Sequence, residues 1–166
     1  MPRKKNMGYH VYDYSQNGAY FVTICIEGRP RIMWNREINT GTNGEPPELS
    51  EIGQAVEAAI KGIPLKYEGV VVDKYVVMPN HFHMILFMEN RDLAQKAKED
   101  GLKITPPATV SRIIKSVQRL VTKEFEYLSW PKKLPKEHII RSEEEYQEKW
   151  KYIHENPKYW TEDENY

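Results

Sequence analysis

The sequence predicts an α+β fold in which helices pack on one antiparallel sheet. Three observations indicate this class. Several short segments are rich in β-branched and aromatic residues, longer segments have apolar residues at helical spacing, and the order is strand, helix, strand, strand, helix, strand, helix. A chain of 166 residues is long enough for one domain with a core and too short for two. We therefore expect a basic mobile arm over residues 1–10 and a single domain over residues 11–166.

The predicted strands are runs of β-branched and aromatic residues that end at turn-forming residues. They are residues 19–26, 69–78, 81–87 and 137–141, with residues 31–39 as either a further short strand or one arm of a hairpin. The first of these strands is expected to lie in the middle of the sheet.

Three segments have the apolar spacing and the end signals of helices. Ser50 is the expected N-cap of the first, which Pro64 ends. The second, residues 109–125, places its apolar side chains, Leu120 among them, in one arc of roughly 120°. The third begins after Ser142 and has Glu145 at the spacing of a capping box. Two β-α-β units in this order predict a ferredoxin-like sandwich with an added C-terminal helix.

Composition argues against several classes of protein. The 24 Lys and Arg residues balance 24 Asp and Glu residues, so a globally basic nucleic-acid binder is not indicated. Cys25 is the only cysteine, which suits a reducing compartment. The basic N-terminus has no apolar run behind it, as a signal peptide would, and no apolar stretch approaches the roughly 20 residues that span a bilayer. We expect a soluble, cytoplasmic protein without a membrane partner.

Positive charge is nevertheless concentrated on the second helix. Within an arc of roughly 80°, opposite the apolar arc, lie four cations and no acid. They are Arg112, Lys115, Arg119 and Lys123. The pattern fits a surface that contacts DNA phosphates, and it equally fits a solvated helix face.

Two histidines on one predicted strand are candidate metal ligands. Because strand side chains alternate between faces, His81 and His83 project from the same side, while Phe82 and Met84 point the other way into a core. Two imidazoles one strand step apart can hold one divalent metal ion. Taken alone, such a triplet also fits two solvated histidines.

The last helix carries a tyrosine and an amide on one side. Tyr152 lies about 100° from the middle of the apolar stripe, and Asn156 follows one turn later. Lys149, one turn before Tyr152, lies near both. Alternatively, Tyr152 is an ordinary surface tyrosine and Asn156 only caps the C-terminal end of the helix.

These motifs together resemble a known family. Residues 78–83, Met-Pro-Asn-His-Phe-His, resemble the HUH motif (His-hydrophobic-His) of single-tyrosine transposases. Residues 137–141 and 152–157, Glu-His-Ile-Ile-Arg and Tyr-Ile-His-Glu-Asn-Pro, resemble the signature of the REP-associated tyrosine transposases. Residues 20–24 are similar to the first strand of that family, and the resemblance runs from about residue 12 to residue 160.

The resemblance implies an HUH-type domain that cuts and rejoins single-stranded DNA, often beside a hairpin, through a 5′-phosphotyrosine. Carried onto this chain, it makes Tyr152 the nucleophile and His81, His83 and Asn156 the ligands of Mg²⁺ or Mn²⁺. Residues 130–136 depart from the family, whose members have a glutamine and an aromatic pair there, so no DNA contact is carried over to that loop.

Two other functions fit the same residues. A domesticated or catalytically silent relative would bind hairpin DNA without cutting it. An unrelated metal hydrolase would use His81 and His83 with water as nucleophile, and Tyr152 would then be dispensable. The oligomeric state is open between a monomer and a homodimer.

Overall fold

The computed structural model has one antiparallel sheet of four strands in the order β2-β3-β1-β4, which is the predicted ferredoxin-like topology. It describes residues 18–35, 48–88, 101, 109–133 and 135–165, so the predicted arm lies outside the described residues. The strands are β1 (Gly18–Cys25), β2 (Val70–Val77), β3 (His81–Met88) and β4 (Lys136–Ile139). The helices are α1 (Glu51–Lys61), α2 (Ile63–Lys66), α3 (Val110–Glu124) and α4 (Glu143–Glu155), followed by a 3₁₀ turn at Trp160–Glu162. Among them, no helix has the length and apolar character that crossing a membrane requires.

The two faces of the sheet have different partners, because successive side chains of a strand point to opposite faces. Even-numbered side chains of β1 and β3, such as Val22 and Met84, form one buried cluster with α1 and α3. Odd-numbered side chains, such as Phe21 and Ile85, form a second cluster with Tyr146 of α4 and its neighbours. His81 and His83 are odd-numbered and therefore lie on the α4 face.

The helix caps that the sequence predicts are formed. Ser50 Oγ accepts a hydrogen bond from Gly53 N at 3.2 Å, and Ser142 Oγ accepts one from Glu145 N at 3.1 Å. The reciprocal bond of the capping box is shifted by one residue, since the Glu145 carboxylate accepts from the backbone N–H of Arg141 at 2.7 Å. The start of α4, which fixes the position of the later helix residues, is therefore well defined.

One local prediction was wrong, and the structure qualifies two others. Pro64 does not end the helical segment but lies in the first turn of α2, where a missing backbone N–H costs nothing. Within residues 31–35, Trp34 forms only an isolated bridge with Leu49 instead of a strand, and residues 36–39 lie outside the described residues. Leu120 is 48% exposed, because it lies at the edge of the α3 face that contacts the sheet.

Close packing joins the start of α1 to the loop before β3. A Cβ atom on Gly53 would lie 2.1 Å from the backbone oxygen of Met33, so only glycine permits this approach. Ser50 Oγ donates to the Ile32 carbonyl at 2.6 Å, and Met33 N donates to the Pro79 carbonyl at 2.9 Å. These bonds fix the turn from which β3 begins.

Candidate active site

His81 and His83 are fully buried, with 0% and 1% of their surface exposed, and their Nε2 atoms lie 3.1 Å apart. His81 Nδ1 lies 2.7 Å from Asn80 Oδ1, and His83 Nδ1 lies 2.8 Å from Thr23 Oγ1. The Asn80 amide donates through Nδ2 to the Asn165 carbonyl at 2.7 Å, so its Oδ1 faces His81 as an acceptor. This contact places the proton of neutral His81 on Nδ1 and leaves Nε2 with a free lone pair.

Asp163, which sequence analysis did not identify, completes the cluster. Its Oδ2 lies 3.6 Å from His81 Nε2, and the ligand atoms of Asp163, His81 and His83 all lie within 4.8 Å of one another. Asn156 Nδ2 donates to Asp163 Oδ2 at 2.5 Å, and the backbone N–H of Asn165 donates to Oδ1 at 2.8 Å. The carboxylate is therefore oriented by donors on both of its oxygens.

The atoms that meet here fit a small divalent cation. Burial lowers the pKa of His81 to about 4 and that of His83 to about 3, so both imidazoles are neutral near pH 7 and can bind metal. Asn156 Oδ1 is buried and accepts no hydrogen bond from the described residues. Two atoms bound to one ion at about 2.1 Å are at most about 4.2 Å apart. The His81–His83 distance of 3.1 Å and the His81–Asp163 distance of 3.6 Å satisfy this limit, and all three ligand atoms lie within 4.8 Å of one another, so a small side-chain movement brings the whole set into range.

The phenol of Tyr152 lies beside this cluster. Its ring contacts the His83 ring edge-on, with 5.3 Å between centroids, and the Phe21 ring at 6.0 Å. The side chain remains 38% exposed, so a substrate can reach it. Burial of its remaining surface, together with the negative charges of Asp163 and Glu164, raises the pKa of Tyr152 to about 12. The phenol is therefore protonated near neutral pH.

The predicted site residues thus separate into two groups. His81, His83, Tyr152 and Asn156 come together on the α4 face, although they derive from a strand and a helix about 70 residues apart in the sequence. The cations of α3 (Arg112, Lys115, Arg119 and Lys123) are exposed on a helix that packs against the opposite face. The structure does not bring this stripe to the site, and its role in DNA binding stays a prediction.

Lys149 lies nearer the site than the α3 stripe does. Its Nζ is 4.9 Å from the centroid of the Phe21 ring. Burial is the main reason for the low pKa of His83, and the charge of Lys149 adds to the effect. Lys149 therefore contributes positive charge at the edge of the site.

Other polar aromatic residues have structural contacts, as expected. Tyr146 is fully buried and its hydroxyl donates to the Asp73 carboxylate. His138 Nε2 lies 3.3 Å from Glu145 Oε1, and the His154 ring stacks on another aromatic ring of α4. These contacts explain why none of the three residues belongs to the cluster.

Comparison with known proteins supports the fold. No family model matches the chain. An uncharacterised protein of Haemophilus influenzae is 29% identical over 184 aligned positions, covering 100% of this chain and 99% of that protein. Among solved structures, the REP-associated tyrosine transposase bound to a REP hairpin has a TM-score of 0.58 at 18% identity, covering 90% of this chain and 72% of that chain. A candidate transposase of Deinococcus radiodurans has a TM-score of 0.47 at 13% identity, covering 89% and 93%. The chain therefore has the fold of a REP-associated tyrosine transposase, as the resemblance in residues 78–83 and 152–157 led us to expect.

Proposed function

We propose that the chain is a metal-dependent transposase-type enzyme that cleaves and rejoins single-stranded, hairpin-flanked DNA through a 5′-phosphotyrosine. The observation that carries this proposal is the contact between the Tyr152 and His83 rings, 5.3 Å apart at their centroids. It supports the proposal because a solvent-accessible phenol, which can act as a nucleophile, lies beside atoms of the kinds that bind metal ions. The partner in this proposal is DNA, as for the hairpin-bound transposase of the same fold.

His81, His83 and Asp163, with Asn156 Oδ1, would hold the metal ion. Bound there, Mg²⁺ or Mn²⁺ would polarise the scissile phosphate as a Lewis acid. Imidazole nitrogens favour Mn²⁺, whereas the carboxylate and amide oxygens suit either ion. Asp163, which lies outside the HUH motif, therefore widens the range of metal ions that the site would accept.

In the reaction, the Tyr152 oxygen forms a bond to phosphorus and loses its proton, while the bond from phosphorus to the 3′ oxygen breaks. The departing 3′ oxygen takes up a proton, and the phosphotyrosine retains the phosphodiester for rejoining. Because the Asp163 carboxylate helps to raise the pKa of Tyr152, any positive charge that offsets Asp163 lowers that pKa and favours the attacking phenolate. Because their pKa values are low, the His81 and His83 imidazoles stay neutral and do not take up the proton that Tyr152 loses.

A trapping assay tests this proposal. The full chain is incubated with a pool of labelled single-stranded hairpin DNAs and Mn²⁺ or Mg²⁺, and the products are separated on a denaturing gel. We expect a covalent protein–DNA adduct that Tyr152→Phe abolishes. Tyr159→Phe is the matched control, since Tyr159 is 42% exposed against 38% for Tyr152.

The alternatives give different results when the same mixtures are run on both a denaturing and a native gel. A retarded native complex without any adduct would identify a relative that only binds hairpin DNA. Metal-dependent cleavage that persists in Tyr152→Phe would identify a hydrolase that uses water. An adduct that survives in Tyr152→Phe and disappears in Tyr159→Phe would refute the assignment of the nucleophile.

A further inference from the structure

A groove of about 510 Å³ opens beside the candidate active site, at the point where β4 stops pairing with β1. The last pair between these strands is Thr23 with Lys136, and before Lys136 the chain leaves the sheet. One wall of the groove is the end of β1 with the turn that follows it, and the other is formed by Pro131, Lys133, Pro135 and Lys136, with Gln118 of α3 beside them. Among the described residues, the β4 side of β1 has no paired strand beyond Thr23, and the groove opens there.

The groove and the active site share two residues. Thr23 lines the groove, and its Oγ1 lies 2.8 Å from His83 Nδ1. Asn165 also lines the groove, and its backbone N–H donates to Asp163. A strand of nucleic acid whose phosphate lies at the cluster can therefore continue directly into the groove.

The chemistry of the lining matches a nucleotide. Pro131 and Pro135, both half-buried, provide apolar surface for the face of a base. Three exposed cations also line the groove, against one carboxylate, that of Glu27. The cations are Arg29, Lys133 and Lys136. Such a combination of apolar floor and basic rim is typical of sites for single-stranded nucleic acid.

Arg29 occupies an unusual position between the groove and the site. Its φ is 52°, in the left-handed region that non-glycine residues seldom adopt, and its backbone N–H closes the turn onto the Ile26 carbonyl at 2.9 Å. Its carbonyl accepts a hydrogen bond from Asn80 Nδ2 at 3.5 Å, and Asn80 Oδ1 lies 2.7 Å from His81 Nδ1. Arg29 therefore connects the groove to the metal cluster through Asn80.

We propose that this groove binds the nucleotide adjoining the phosphate that Tyr152 attacks. The base packs on the prolines, and the phosphate lies between the Arg29 guanidinium and the Lys136 ammonium. The identity of the strand as DNA rests on the proposed function. The α3 stripe on the opposite face takes no part in this contact.

The test measures binding of a short, fluorescein-labelled oligodeoxythymidine to the full chain by fluorescence anisotropy at several salt concentrations. Arg29→Gln with Lys136→Gln should weaken binding about tenfold and reduce the slope of log K against log salt by about 1.4, since each phosphate contact of a single strand contributes about 0.7. Lys132→Gln is the matched control, because Lys132 is an exposed lysine of the same loop that does not line the groove. Its affinity should stay unchanged.

A photo-cross-link locates the contact independently. With one thymine replaced by 5-iodouracil, we expect cross-links to residues 24–29 or 131–136 that the double variant loses. An unchanged affinity and salt slope in the double variant, an equal loss in Lys132→Gln, or cross-links confined to α3 would each overturn the proposal.

The test of the groove and the test of the proposed strand-transfer reaction can fail separately. Tyr152→Phe should bind and cross-link the oligonucleotide as the wild type does. If no adduct is trapped but the double variant still loses affinity and cross-linking, the strand-transfer reaction is refuted and the groove proposal is retained. An adduct formed at full yield by a double variant that also binds normally would refute the groove alone.

Discussion

Thr23→Val tests whether contacts behind the histidines prepare the metal site. Valine has nearly the shape of threonine and lacks the hydroxyl that lies 2.8 Å from His83 Nδ1. Thr23 is only 8% exposed, so water cannot easily replace the lost partner. A buried polar group left without a partner costs about 1–3 kcal/mol of unfolding free energy.

The second effect of this substitution falls on metal affinity. Without Thr23 Oγ1, the His83 ring loses the contact that fixes its rotation and its tautomer. Removal of such a contact behind a metal ligand typically weakens binding about 10- to 100-fold. That loss corresponds to about 1.4–2.7 kcal/mol of binding free energy.

Thr122→Val is the matched control. Thr122 Oγ1 accepts from Trp130 Nε1 at 2.9 Å and donates to the Gln118 carbonyl at 2.8 Å, on the opposite face of the sheet. Urea denaturation in EDTA should show comparable destabilisation of both variants, whereas calorimetric titration with Mn²⁺ should show weaker binding only for Thr23→Val. Wild-type affinity in Thr23→Val, or an equal loss in Thr122→Val, would refute the reasoning.

Three further results are expected. Gly53→Ala should lower the free energy of unfolding, measured in urea, by about 1–3 kcal/mol, because the added methyl group would lie 2.1 Å from a backbone oxygen. In the control Gly62→Ala the methyl group would have its nearest neighbour at 3.4 Å, so that variant should be neutral or slightly stabilising. Equal effects of the two substitutions would contradict the close approach at Gly53. In EDTA, the free energy of unfolding should fall by on the order of a few kcal/mol as the pH drops below the ordinary histidine pKa of 6.5. Burial lowers the folded-state pKa of His81 to about 4 and of His83 to about 3, so only the unfolded chain takes up these protons. Replacing both histidines by asparagine should flatten that part of the pH profile, and a profile that stays steep would show that other groups cause the loss. Arg29→Gly should raise the free energy of unfolding by about 0.5–1 kcal/mol, because the left-handed backbone at this position suits glycine. The same variant should bind oligodeoxythymidine more weakly. A fall in the free energy of unfolding would show that the substitution relieves no strain.

Local rules are sufficient to predict most of the fold. Strand alternation places His81 and His83 on one face, and the capping residues Ser50 and Ser142 mark helix starts that the structure reproduces. These features depend on neighbours within a few residues, so the sequence carries them directly. Exposure of Leu120 shows the limit of such rules, because periodicity defines the middle of a helix face better than its edges.

Asp163 could not be predicted in the same way. It follows the helix-ending Pro157 in a segment without periodicity, and its partner His81 is 82 positions away, so their meeting depends on the tertiary path of the chain. The one signal in the sequence is Trp160, since an aromatic residue after a helix end suggests a packed segment. In the structure Trp160 is fully buried, with its ring 5.8 Å from that of His81.

The two halves of the site belong to parts of the fold that differ in mechanical stiffness. β3 is paired with β1 along its whole length and with β2 from Phe82 to Met88, apart from one bulge in β2, so the histidines sit on the central, most highly bonded strand of the sheet. Tyr152 sits on α4, which packs on one face of the sheet through its apolar stripe and a few polar contacts, such as the hydrogen bond from Tyr146 to Asp73 of β2. Regions held by fewer contacts open more often, and hydrogen exchange detects them as the faster units. A transient detachment of α4 would therefore withdraw the phenol while the imidazoles stay in register. In the proposed reaction, such a motion would allow one DNA end to be exchanged for another while His81 and His83 keep their positions.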